Sequence, residues 1–117
     1  HTAGQSVSNF CYITDVLSAL VLLLFKGESG EAYNICNSDE TRCIKDIANL
    51  VAKEIAKGKI DVEFDIPNNI DQYGYAHDVK FILNNKKIKS LGWVPKVNMK
   101  TGYRNLIDYI KYENSKV

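Results

Sequence analysis

Among the side chains able to do chemistry, the cations are the most lopsided. Lys supplies 13 of the 15 positive residues and Arg only two, Arg42 and Arg104. Arg grips phosphate with a planar bidentate fork, whereas Lys offers a point charge, so tight phosphate recognition has few positions to draw on. Cys36, Cys43 and His77 are the candidate zinc donors, and Cys11 is the third cysteine. Their separations contain no CxxC and match no standard zinc finger, and structural zinc normally takes four ligands. Three reduced, mostly buried thiols of a cytoplasmic protein are therefore expected. His77, within Tyr75-Ala76-His77-Asp78, is expected to be an exposed loop histidine, with substrate contact from that loop as the sharper alternative. Lys86, Lys87 and Lys89 read as a solvated helix face. With 15 basic against 14 acidic residues the net charge is only +1, without the basic excess of a nucleic-acid binder. CIKDIANLVAKEIAK has the look of the first helix of a helix-turn-helix. It leads, however, into the alternating IDVEFDI rather than a turn and a basic second helix, which removes the DNA reading.

The elements that must position these groups follow from periodicity and punctuation. Val7–Ile13 is β-rich and reads as a strand. Thr14-Asp15 then supplies a cap and an early negative charge for a helix over Asp15–Lys26. Gly27 and Gly30 mark a turn, and Ala32–Cys36 (AYNIC) reads as a second strand. After a polar loop over 37–42, the apolar positions of Ile44–Lys57 follow the helical period, with Gly58 just past the end. Ile60–Ile66 alternates like a half-buried strand that Pro67 stops, and Asn68–Asp78 is a loop rich in Tyr and Asn. A short helix follows Asn84-Asn85 and closes at Gly92, and Lys100 to about Tyr112 forms the last helix.

At 117 residues, with 45% hydrophobic and 25% charged side chains, the chain is expected to form one small globular domain, residues 1–117. The order of elements predicts an α/β fold, a small mixed domain of short strands and about four helices. That is too small for a doubly wound nucleotide-binding sheet with its own crevice. The longest apolar run, Val16–Phe25, is about half a membrane span, so no membrane association is expected. A surface helix of a small domain keeps a polar side, yet VLSALVLLLF carries Leu or Val nearly all round. Another domain of the same chain, or a second copy, is expected to cover it. The absence of Met before His1-Thr2-Ala3 and of any targeting segment favours a piece of a longer protein.

Four segments in order, VSNFCYITDVLSALVLLL, GESGEAYNICN, CIKDIANLVAKEI and KKIKSLGWVPKVNMKTGYRNLI, carry a resemblance. Phe10, Tyr12, Ile13 and Asp15 fit an RxFxYVxD segment. Gly30 to Ile35 and Asn37 fit G-EAYN-(I/V)-x-N, Ile44 opens the next helix, and Leu91, Gly92, Trp93 and Pro95 fit LGW-x-P. Together they resemble the C-terminal, substrate-binding part of the extended short-chain dehydrogenase/reductases, the NAD-dependent nucleotide-sugar epimerases and dehydratases. The resemblance implies a two-domain cytoplasmic enzyme in which an N-terminal Rossmann domain, absent from this chain, holds NAD or NADP. The part seen here would close over the nucleotide-sugar substrate. On this reading the apolar helix packs beside the Rossmann half, and the isolated piece is expected to self-associate through residues 16–25.

The resemblance also implies what this chain lacks. No Gly-x-Gly-x-x-Gly occurs. Tyr112-Glu113-Asn114-Ser115-Lys116 matches the family's catalytic Tyr-x-x-x-Lys by letter only, at a C-terminal end with no cofactor fold before it, so no catalytic residue is assigned here. Where the family places two phosphate-gripping arginines, this sequence has Ser8 and Ile82. Ser8, Asn9, Phe10, Tyr75 and Lys80 are the residues expected on the sugar-nucleotide side, with Lys80 as a substitute point charge and Asn9 as a neutral donor. Cys43 stands where relatives have a Ser N-cap, with Asp46 completing a weaker capping box. Trp93 is read as a core anchor between the short helix and the last one rather than a stacking platform. The rival to the enzyme reading is a non-catalytic binding or assembly module on the same scaffold.

Overall fold

The computed structural model describes residues 2–67 and 77–116. Its elements are β1 (Val7–Asn9), α1 (Ile13–Lys26), a 3-10 turn (Ser38–Glu40), β2 (Thr41–Cys43), α2 (Ile44–Leu50), β3 (Lys80–Phe81), α3 (Lys86–Ser90) and α4 (Met99–Asn114). Three strands form one sheet in the order β2-β1-β3. β1 lies antiparallel to β2 and parallel to β3, so Ser8 stands opposite Arg42 on one side and Phe81 on the other. The mixed α/β class read from the sequence is the class observed, with four α-helices and a small sheet.

The core forms where α1, α3 and the 31–36 segment meet. Ala19, Ile88 and Trp93 are buried together, with Cys11, Leu22, Leu23, Tyr33 and Ile35 packed around them. Trp93 is an anchor, but its partner is α1 and not the last helix. Its indole N–H donates to the backbone oxygen of Asp15 at 3.2 Å and to Ser18 Oγ at 3.0 Å. Asp15 is buried at the first turn of α1, where its Oδ2 accepts the backbone N–H of Lys96 at 3.0 Å and of Val97 at 2.8 Å. The expected Thr14-Asp15 cap is therefore not formed; Tyr12 is the N-cap residue, without a side-chain bond. The Asp15 carboxylate instead latches the segment after Trp93 onto α1.

α2 continues past Leu50 as a π-helical stretch, Val51–Ile55, with the Ala56 N–H reaching the Val51 carbonyl. Lys57 and Gly58 then take positive φ values of 55° and 72° and end the helix near the expected glycine. Cys43 does occupy the N-cap position of α2, but makes no side-chain cap bond, a thiol being a weak acceptor. The last helix runs slightly longer at both ends than the periodicity suggests, and Asn98 caps it by accepting the Thr101 N–H at 2.8 Å.

Two expected strands do not form. The expected strand Ala32–Cys36 has strand-like composition but enters no ladder among the described residues; three asparagine amides hold the surrounding segments instead. Asn85 Nδ2 donates to the Cys36 oxygen at 2.7 Å, Asn34 Nδ2 donates to the Asn84 oxygen at 3.2 Å, and the Asn37 side chain accepts the Asp39 N–H. Residues 60–66 alternate without pairing to any strand among the described residues, leaving Ile60, Phe64 and Ile66 exposed. A strand is stabilised by its neighbour, and composition alone cannot supply one. The strand expected over 7–13 stops at Asn9, because the chain turns at Phe10 to start α1. β3 was not expected from the sequence at all.

Candidate functional site

β1 organises the residues assigned to the sugar-nucleotide side. Because side chains alternate along a strand and paired residues share a face, the sheet sorts them into two sets. Ser8, Arg42 and Phe81 lie on one face; Val7, Asn9, Thr41, Cys43 and Lys80 lie on the other. Ser8 and Lys80 are thus not brought together. Lys80 is exposed on edge strand β3, and Ile82 just beyond it is exposed as well.

Asn9 is buried and its amide is fully engaged. Nδ2 donates to the Leu83 oxygen at 2.8 Å and to Cys36 Sγ at 3.3 Å, and Oδ1 accepts the Leu83 N–H at 3.1 Å. This two-way amide bridge fixes the chain after β3 against β1. Tyr75 lies outside the described residues, and His77 is exposed.

Phe10 follows β1, donates its N–H to the Glu40 carbonyl at 3.2 Å, and enters the wall of an open cleft of about 320 Å³. The cleft runs between residues 10–13 and the first turns of α4. Phe10, Tyr12, Met99, Tyr103 and Leu106 make it chiefly apolar, and the buried Glu40 is its one acidic group. The Asp15 latch sets its far wall, since the segment pinned at Lys96 and Val97 delivers Val97, Asn98 and Met99 to it. Gly102 lets α4 approach this closely: a Cβ there would meet the Tyr12 ring at 2.8 Å.

Arg42 is the group that sequence reasoning left unassigned. Its Nε donates to Glu40 Oε2 at 2.8 Å, an ion pair in which the carboxylate is largely buried and the guanidinium about one third exposed. The pairing register, which places it directly beside Ser8, is the signal that a linear reading lacks. Arg104 lies elsewhere, on α4 in a second groove with Lys57, Lys59 and Lys111.

Cys11 and Cys36 are poor nucleophiles. Burial, aided by the charge of Asp15 and by Cys36, pushes the Cys11 thiol up to about 11, and burial also raises Cys36. Among the described residues no three His, Cys, Asp or Glu side chains gather to hold a metal. The β1-to-α1 junction, Phe10-Cys11-Tyr12, carries side chains where a glycine turn must let pyrophosphate approach the backbone.

No family model matches the chain. It is 30% identical over 114 residues to human dTDP-D-glucose 4,6-dehydratase, an alignment covering 95% of this chain and 31% of that protein. Among solved structures, the UDP-glucuronic acid 4-epimerase of Bacillus cereus in complex with NAD superposes with a TM-score of 0.70 at 25% identity, covering 93% of this chain and 32% of that one. The fold is also shared with dTDP-glucose 4,6-dehydratase of Bacillus anthracis in complex with NAD, at a TM-score of 0.78 and 23% identity, over 97% of this chain and 34% of that one. The chain spans about a third of the length of the curated dTDP-glucose dehydratases it matches. In sequence and in fold the chain is therefore similar to nucleotide-sugar 4,6-dehydratases and to a 4-epimerase, over about one third of such a protein.

Proposed function

We propose that this chain is the C-terminal, substrate-binding part of an NAD(P)-dependent enzyme that dehydrates or epimerises a nucleotide-linked sugar. The observation that carries the reading is the 30% identity to a dTDP-glucose dehydratase across 95% of the chain, joined to coverage of only 31% of that relative. A complete enzyme would need a further domain to hold the dinucleotide, and residues 1–117 form the single domain that closes over the sugar nucleotide. The bound cofactor supplies transient hydride removal and return. This chain's residues would orient the sugar nucleotide and exclude water, with Ser8 and Phe10 on its side of the domain and Asn9 fixing their support; Lys80 lies on the opposite sheet face from Ser8 and would not meet the same group.

The full-length product of the gene should bind UDP-glucose or dTDP-glucose in titration calorimetry and carry NAD or NADP. The 117-residue piece should have no turnover. A full-length product that binds neither nucleotide sugar, while folded and complete, would leave the assembly-module reading in its place.

A further inference from the structure

We propose that Arg42 is the diphosphate anchor of this chain, its guanidinium aimed by Glu40 and set beside the Ser8 hydroxyl. The inference rests on the sugar-nucleotide reading above and identifies the group that would hold the ligand's charge. The dTDP- and UDP-sugars named for the relatives share a nucleoside diphosphate, whose two phosphates call for a fork of N–H donors. Only two arginines exist to supply one.

Arg104 lies on α4 in the lysine-lined groove with Glu54, a carboxylate that feels the charge of both arginines. Arg42 sits on the same sheet face as Ser8 and Phe81. Adjacent strands are about 4.8 Å apart, so a phosphate over β1 would be within reach of both Arg42 and the Ser8 hydroxyl.

The bond to Glu40 supports the role. Nε uses one of five guanidinium donors, and among the described residues no acceptor takes either Nη group. A largely buried carboxylate on Nε restricts the rotation of a long side chain, which lowers the entropy lost on binding. The remaining edge, with both Nη groups, is the one that pairs bidentately with a phosphate.

The test is titration calorimetry of the full-length protein with UDP and dTDP at several salt concentrations, comparing wild type with Arg42→Gln and Arg42→Lys. Loss of a charged donor pair predicts weakening of roughly tenfold to a hundredfold in Arg42→Gln. It also predicts a shallower salt dependence, because one screened charge contact is gone. Arg42→Lys should recover part of both. Binding by Arg42→Gln within twofold of wild type would overturn the anchor and leave the sugar-nucleotide reading standing. Weakened binding with unchanged salt dependence would also overturn it, as damage to the fold. A wild-type protein that binds neither diphosphate would remove the anchor and the reading together.

Discussion

The Asp15 side chain ties the start of α1 to the segment that follows Trp93. Its carboxylate is 4% exposed and satisfies two backbone N–H groups, while its own carbonyl receives the Trp93 indole. Removing it would leave two part-buried N–H groups without their acceptor, so Asp15→Ala should lose roughly 1–3 kcal/mol in urea denaturation. Asp15→Asn, which keeps one acceptor oxygen, should lose less; equal losses would show that the latch is not what matters. The sequence made Asp15 visible as a member of an aromatic-x-Tyr-Ile-x-Asp run but not as a latch, because its partners lie 81 and 82 residues away. Cys11 gives a second residue-scale outcome. With its thiol pushed up to about 11, alkylation by iodoacetamide should rise steeply only towards that pH, whereas an unfolded-chain thiol titrates near 9. The neutral thiol is the form the fold favours. The stability linked to it is therefore complete below the unfolded value and fades as pH climbs through the folded one. A Cys11 alkylation profile centred near 9 in the native protein would contradict the burial assigned to it.

At the scale of elements, α1 and α4 show what amphipathic pattern can and cannot reveal. α4 approaches residues 10–13 through Gly102, where an added Cβ would lie 2.8 Å from the Tyr12 ring. Ala is the better helix former by about 1 kcal/mol, so Gly102→Ala would stabilise a free helix. Here overpacking should reverse the sign, with a net loss of about 1–2 kcal/mol in thermal or urea unfolding. Restoration by the double variant Tyr12→Ala/Gly102→Ala would assign the loss to that contact; a stabilised single variant would refute it. α1 was legible as a helix and as one too apolar for its setting. In the structure Leu17, Leu20, Val21, Leu24 and Phe25 are exposed, the last two at 83%. In light scattering the isolated chain should therefore self-associate, and Leu17→Lys with Leu24→Lys should shift it towards monomer; a monomeric wild-type chain at high concentration would count against this. Helices were the readable elements because their signal is local. The strands were less so: AYNIC and IDVEFDI have strand composition without a ladder among the described residues, while Lys80–Phe81 is a strand by pairing alone. The same limit hid Arg42, whose importance lies in its position across from Ser8.

The molecule as a whole is too open for its length. Its radius of gyration is 17.5 Å, where a compact domain of this size would have about 13 Å. Its accessible surface is 8562 Å², against about 6,400 Å² for a compact monomer of the same mass. The excess, roughly 2,100 Å², is more than twice the about 800 Å² that each partner of a standard interface buries, and the exposed face of α1 carries much apolar surface. Openness, an apolar helix with much exposed surface and coverage of about a third of each relative support the proposal that the chain is part of a larger fold. The most direct test of that account is the intact mass and N-terminal sequence of the natural product of the complete gene. The account predicts a mass about three times the 13.2 kDa of this chain, with His1 internal to it. A natural, folded product of about 13 kDa beginning at or just before His1 would contradict it.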